Sequence, residues 1–126
     1  KVINIEALTA ADMAKTEIMP AVMKFSKDIC DIAASKRALG IEPTVETELA
    51  KKLNDLTAAL SEKAAQLSDA VVKAQAVEGE EKKARFYHDE VFGLMQSLRA
   101  VADELETIVG EKYWPYPTYD ELLFNV

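Results

Sequence analysis

The fold of this chain is decided by residues 45–77, VETELAKKLNDLTAALSEKAAQLSDAVVKAQAV, which contain neither Gly nor Pro. Apolar residues recur here at alternating steps of four and three, a spacing that places them along one face of an α-helix. They are Leu49, Leu53, Leu56, Leu60, Leu67, Ala70 and Ala74, with Lys63 at the same spacing. At about 1.5 Å per residue the helix is roughly 50 Å long. Because such a helix cannot bury its apolar face alone, the pattern predicts partner helices of similar length.

Two partner helices are predicted from the same spacing elsewhere in the chain. The three predicted helices cover about residues 4–39, 45–78 and 80–109, followed by Gly40, Gly79 and Gly110. The apolar stripe of the first helix comprises Leu8, Ala11, Ile18, Val22, Phe25, Ile29, Ile32 and Leu39. Gly40 and Gly110 are predicted to be left-handed helix ends, and Thr44 is predicted to cap the second helix. Short connections join antiparallel neighbours, so the predicted fold is all-α, an up-down-up antiparallel three-helix bundle.

Pro20 interrupts the first predicted helix. A proline removes the hydrogen bond to the carbonyl four residues earlier, here that of Thr16, and its ring crowds that carbonyl. The apolar spacing keeps its register on both sides of Pro20, which favours a kink over two separate helices.

The tail, residues 111–126, has a different character. Pro115 and Pro117 at alternate positions predict an extended, aromatic strap. Thr118 and Glu121 form a capping box, which predicts a short final helix from Tyr119 to about residue 125. These apolar and aromatic side chains require a surface to bury them, either the end of the bundle or a surface outside this chain. The predicted docking or interface residues are Tyr113, Trp114, Tyr116, Tyr119, Leu122, Leu123 and Phe124.

Composition excludes several classes of function. The 126 residues carry a net charge of −7, which disfavours nucleic acid and anionic membranes as partners. No apolar run approaches the length of a membrane span. Cys30 is the single cysteine, so an internal disulfide is impossible and a cytoplasmic location is expected. Because the chain begins at Lys1 without a Met or a signal peptide, we expect it to be a piece of a longer protein.

No constellation of catalytic or metal-binding residues emerges from the sequence. His88 is the only histidine, and Arg85 stands where a carboxylate-bridged metal site would need Glu. We therefore interpret His88 as a surface or interface residue, and Cys30 as a buried, inert thiol. The four glycines are scattered singly, so no loop that cradles phosphate is present. The sequence therefore predicts no catalytic, cofactor-binding or metal-binding residue in this chain.

The tail carries a family resemblance. Residues 113–119, YWPYPTY, followed by ELLF at 121–124, resemble the C-terminus of the type III glutamine synthetases. Five other stretches resemble the same family: NIEAL at 4–8, DMAK at 12–15, PAV at 20–22, DEVF at 89–92 and LRAVADELE at 98–106. Together they cover essentially the whole chain in order. Asp120 departs from the pattern, in which we expect Gly at this position of the tail.

The resemblance implies that residues 1–126 form a single helical domain at the C-terminus of an enzyme that makes glutamine from glutamate, ammonia and ATP through a γ-glutamyl phosphate. It implies ATP and Mg²⁺ or Mn²⁺ for the parent enzyme. The implied partners are the catalytic core of the same chain and neighbouring subunits of a homo-oligomer. The family's catalytic residues belong to a strand-rich core, and none can be placed on this chain. The domain alone is therefore expected to be inactive and to have a structural or assembly role.

An alternative is an independent helical adaptor whose tail is a proline-containing peptide ligand. The two hypotheses differ in the surroundings of Trp114: a domain tail buries this side chain, whereas an unbound ligand peptide leaves it in solvent. A stand-alone helical enzyme is a third interpretation, and it is the least favoured because no titratable groups are paired in the sequence pattern.

Overall fold

The computed structural model describes residues 2–116, with side chains from residue 5 onward. Its elements are α1 (Val2–Met13), a π-helix (Ala14–Ile18), α2 (Met19–Ala38), α3 (Thr44–Ala76), α4 (Glu80–Phe86), a second π-helix (Tyr87–Val91) and α5 (Phe92–Ile108). Residues 2–116 contain no strand, so the predicted all-α class is confirmed. We call residues 2–38 the first rod and residues 80–108 the third rod. None of the helices within residues 2–116 combines the length and apolarity needed to span a bilayer.

Helix α3 is the element on which the others pack. It contacts α1, α2 and α5, and Leu53, Leu60 and Leu67 on its inner face are completely buried. The buried face also takes in Ala64 and Val71, which lie outside the predicted stripe. A straight α-helix drifts by about 20° per heptad relative to a strict seven-residue repeat, so the buried face turns towards these positions along the helix.

Helix α2 buries a narrower stripe than predicted. Only Val22 and Ala33 are fully buried in it, and the predicted stripe residues Ile32 and Leu39 are exposed. Because α2 packs mainly against α3, only a thin line of its surface is covered. The cysteine at position 30 lies beside this line and is exposed, so the prediction of a buried thiol is wrong.

The π-helix before Pro20 accommodates the proline. At its end the Met19 N–H donates to the carbonyl of Ala14, five residues earlier, and Pro20 lies in the first turn of α2. A proline is tolerated in a first turn because the N–H that it lacks is not required there. The Thr16 hydroxyl donates a 2.8 Å hydrogen bond to the carbonyl of Asp12. The helix is therefore widened locally by one π-helical turn just before Pro20.

The connection between α2 and α3 is a Schellman turn. Gly40 has φ 77°, its N–H donates to the Arg37 carbonyl at 3.0 Å, and the Ile41 N–H donates to the Lys36 carbonyl at 2.8 Å. Gly40 is left-handed as predicted, because this motif needs a positive φ. Thr44 begins α3 after Pro43, and no side chain caps this helix, so the predicted Thr44 cap is wrong.

The end of the third rod differs from the prediction. Gly110 does not have a positive φ, because Val109 already leaves the helix in the extended conformation with φ −76° and ψ 133°. Val109 is buried, and the Gly110 carbonyl accepts hydrogen bonds from the N–H groups of Tyr113 and Trp114. Burial of Val109 therefore directs the chain out of the helix, and no left-handed residue is needed.

Truncation of Leu60 tests the importance of the α3 face. Leu60 is completely buried, so we expect Leu60→Ala to lower the free energy of unfolding by about 2–5 kcal/mol. Leu39 is 78% exposed, and Leu39→Ala is the matched control, with an expected change within about 0.5 kcal/mol. Urea unfolding followed by circular dichroism measures both, and equal losses would contradict this packing.

Candidate docking groove

A groove of about 640 Å³ runs between α1 and α5. Leu60 of α3 is buried beneath it, and the first π-helix contributes Ala14 and Ile18. Its side walls are Ile5, Thr9, Ala10 and Met13 on one side and Met95, Leu98 and Ala102 on the other. A mainly apolar cavity of this size accommodates a small ligand or several side chains of a peptide. We call it the α1/α5 groove.

Charged side chains stand along the α1/α5 groove and make its edges mostly acidic. They are Glu6, Arg99, Asp103 and Glu106. Three carboxylates against one guanidinium disfavour an anionic ligand. Within the described residues Arg99 forms no ion pair closer than 4 Å.

The aromatic segment after α5 folds back onto the first rod. The Tyr113 hydroxyl donates a hydrogen bond to the Asp28 carboxylate, and this bond is the main reason why the pKa of Tyr113 is raised. The Tyr113 ring meets Phe25 edge to face, with ring centroids 5.1 Å apart. Lys112 places its ammonium 5.2 Å from the centroid of the Tyr113 ring. The contacts of Tyr113 with Asp28 and Phe25 attach the segment to α2.

Trp114 and Tyr116 reach the α1/α5 groove. Both side chains line it and are partly buried, with their rings edge to face and the centroids 6.5 Å apart. The Tyr116 hydroxyl is buried and forms no hydrogen bond within the described structure. Burial raises the pKa of Tyr116 to about 12, and the carboxylates of Glu17 and Asp12 add to the shift. Tyr116 therefore lies beside the first π-helix, in a neutral form at physiological pH.

A second, shallower cavity of about 460 Å³ lies between α2 and α3. Cys30 and Ala33 line it from α2, and Thr47 and Asn54 from α3. Arg37 donates to the Thr47 hydroxyl at 3.4 Å, which is a long hydrogen bond. This cavity contains no cluster of groups with a specific chemistry.

His88 is a surface residue, in agreement with its interpretation from the sequence. Its side chain is 84% exposed, and its Nδ1 lies 3.1 Å from a carboxylate oxygen of Asp89. The imidazole stacks on Phe92 with ring centroids 6.5 Å apart. Across the part of the chain that the structure describes, no three His, Cys, Asp or Glu side chains are placed to hold a metal ion.

An apolar tip surrounds the turn between α2 and α3. Leu39, Ile41 and Val45 are 78%, 51% and 71% exposed, respectively. Exposed apolar side chains grouped in this way are typical of a contact surface. Next to the tip, Lys36 and Glu46 form a 2.6 Å ion pair that links the two helices, and its hydrogen bond lowers the pKa of Glu46.

The structure therefore brings together three of the predicted interface residues: Tyr113, Trp114 and Tyr116. The other four, Tyr119, Leu122, Leu123 and Phe124, lie outside the described residues. Sequence reasoning missed the α1/α5 groove, because Ile5 was outside the predicted stripe, and Met13 and Met95 are a residue type that usually fills cores.

The chain is similar to known glutamine synthetases along its whole length. The chain is 30% identical over 128 residues to a glutamine synthetase of Butyrivibrio fibrisolvens, in a match that covers all of this chain. It is 25% identical to a glutamine synthetase of Bacteroides fragilis and 27% identical to a type-3 glutamine synthetase of Dictyostelium discoideum, over 98% of this chain in both cases. The chain spans only 18% of the length of each relative. No protein-family model and no solved structure matches it. The resemblance to type III glutamine synthetases is confirmed.

Two tyrosine substitutions are expected to have opposite effects on stability at pH 7. Tyr113→Phe removes the hydrogen bond to Asp28, so we expect a lower urea midpoint. Tyr116→Phe removes a buried hydroxyl that lies near the Glu17 carboxylate but meets no hydrogen-bond geometry within the described residues, so we expect an unchanged or higher midpoint. Each variant is the control for the other, and the reverse order would contradict the described contacts.

Alkaline pH is expected to destabilise the fold through Tyr116. Its folded pKa of about 12 exceeds the ordinary value of 10.0, so the folded state holds the phenolic proton more tightly than the unfolded state. This contribution is complete below pH 10.0 and is lost as the pH rises towards about 12. Urea unfolding at several pH values should show a shallower loss for Tyr116→Phe than for the natural chain, and equal slopes would contradict the assignment.

Proposed function

We propose, from the similarity of this chain to glutamine synthetases along its whole length, that it is the helical C-terminal domain of a type III glutamine synthetase. The observation that carries the proposal is that the match takes in the whole of this chain and 18% of each relative. A segment of that size fits one domain of a larger polypeptide. In this proposal the longer protein is an ATP-dependent glutamate–ammonia ligase, and this domain has a structural or assembly role.

The chemistry of the parent reaction is assigned to the rest of that polypeptide. The parent requires ATP and Mg²⁺ or Mn²⁺ in this proposal. The described side chains do not fit the divalent metal, because no cluster of three His, Cys, Asp or Glu residues exists among them. We therefore assign no catalytic step to the described residues.

The proposed arrangement of the domain is an up-down-up antiparallel bundle, with a kink at Pro20 and an aromatic strap. The Lys36–Glu46 pair across the short turn supports antiparallel α2 and α3. A 3.6 Å contact between Lys52 and Glu104 is consistent with the third rod running back along α3. The contact of Tyr113 with α2 supports the strap.

The proposed partners are the catalytic core of the same chain and neighbouring subunits of a cytoplasmic homo-oligomer. The apolar tip of Leu39, Ile41 and Val45 is a suitable surface for such a contact, because these side chains are exposed in the domain alone. The net charge of −7 makes nucleic acid or an anionic membrane an unsuitable partner.

Trp114 argues against the alternative of a helical adaptor with a free peptide ligand. A free peptide would leave its aromatic side chains in solvent, whereas Trp114 is partly buried and packs on the core. The segment from Tyr113 to Tyr116 therefore fits a domain tail better than an unbound ligand.

An activity assay tests the non-catalytic assignment. The 126-residue chain, supplied with glutamate, ammonium, ATP and Mg²⁺ or Mn²⁺, is expected to form no glutamine above background. The positive control is the longer protein under the same conditions. Turnover by the 126-residue chain would refute the non-catalytic role, and absence of glutamine formation by the longer protein would refute the family assignment of the parent.

A further inference from the structure

We propose that the apolar tip of Leu39, Ile41 and Val45 packs against the same tip of a second copy of this chain. The proposal deepens the proposed function, on whose homo-oligomer it rests, by naming the surface and its occupant. The contact is isologous, so the same residues of the two copies face each other across a twofold axis.

Exposed apolar surface is concentrated at this tip. Leu39, Ile41 and Val45 are each more than half exposed and lie within seven residues of sequence. Ile32 is also exposed and lies two helical turns before Leu39 on the same face of α2, so it extends the patch along the helix. Exposed apolar side chains grouped in this way are typical of a protein contact surface, whereas single ones are common everywhere.

The backbone of the tip is fixed without a partner. The N–H groups of Gly40 and Ile41 donate to carbonyls of α2, and Pro43 is fully buried. The ion pair between Lys36 and Glu46 joins the two helices beside the turn. A surface that is already ordered loses little conformational entropy when it binds. A small patch of this kind is therefore able to support a contact.

Charge favours an acidic partner at the tip. Residues 36–52 carry four basic and three acidic side chains, whereas the chain as a whole has a net charge of −7. Two copies of this acidic chain therefore repel each other least when they approach through this end.

The tip also carries exposed charges of both signs. Arg37 and Lys51 are basic, Glu42 and Glu48 are acidic, and none of the four forms an ion pair within the described residues. Across a twofold axis, the basic side chains of one copy are able to face the acidic side chains of the other. The patch is thus suited to meet itself.

Other occupants fit the tip less well. A basic partner would be attracted to the rest of the surface, whose charge is more negative than that of the tip. A head-to-tail contact between copies would leave a tip exposed at the end of each pair and would continue into an open chain. Only the isologous contact covers both apolar tips at once.

Sedimentation equilibrium of the 126-residue chain tests the proposal. Because few side chains take part, we expect a weak dimer, and the mean mass should rise from 13.9 kDa towards twice that value between about 10 µM and 1 mM chain. About 0.15 M salt limits the general repulsion between the acidic chains.

Val45→Asp and Val72→Asp form a matched pair of variants. Both valines lie in α3, are 71% and 65% exposed, and acquire the same charge. Asp is favourable near a helix N-terminus, so Val45→Asp is expected to keep the fold, which circular dichroism verifies. We expect Val45→Asp to raise the dimer dissociation constant at least about tenfold, and Val72→Asp to change it less than about twofold.

Each other outcome overturns the proposal. A mass that stays at 13.9 kDa up to about 1 mM would favour a different partner for the tip. A mass that grows beyond two copies would favour head-to-tail association, and equal weakening by both variants would place the contact elsewhere or make it non-specific. Sedimentation measures mass and not turnover, so its failure leaves the activity assay of the longer protein, and the family assignment with it, unaffected.

Discussion

The inner face of α3 is the constraint on which the rest of the structure depends. Leu53, Leu60 and Leu67 are completely buried, and each contributes roughly 1.5–3 kcal/mol of transfer free energy relative to an exposed side chain. None of this is gained by an isolated helix, because a single helix has no second surface to cover its apolar stripe. The first and third rods supply that surface, and their own buried residues are consequently found where they meet α3.

The two π-helices are at positions where the rods need an irregular backbone. One ends directly before Pro20 and allows the proline to begin α2, while the other ends at the buried Val91 and is followed by Phe92 and Gly93. The first of them also supplies Ala14 and Ile18 to the α1/α5 groove. A widened turn changes the direction of the side chains that follow it. The same feature that tolerates Pro20 thus helps to shape the groove.

Apolar spacing predicted the three helical regions, and the glycine at position 40 predicted the left-handed turn, because these depend on local periodicity and local turn geometry. The exposure of Cys30 could not be predicted, since it depends on how few neighbours α2 has. Gly110 was assigned a left-handed turn, but burial of Val109 directs the chain, and burial is a tertiary effect. The aromatic residues of the candidate site were found from composition. The groove that receives them was not, because its walls come from two helices that are far apart in sequence.

The two tyrosines of the aromatic segment show what the segment contributes. The Tyr113 hydroxyl donates a hydrogen bond to Asp28, so packing the ring against Phe25 leaves no unpaired hydroxyl at Tyr113. The Tyr116 hydroxyl is buried without a partner in the described residues, and such a group costs about 1–3 kcal/mol. Its ring nevertheless stays against Trp114 and the α1/α5 groove. The burial of apolar and aromatic surface at this point therefore outweighs the cost of an unpaired hydroxyl.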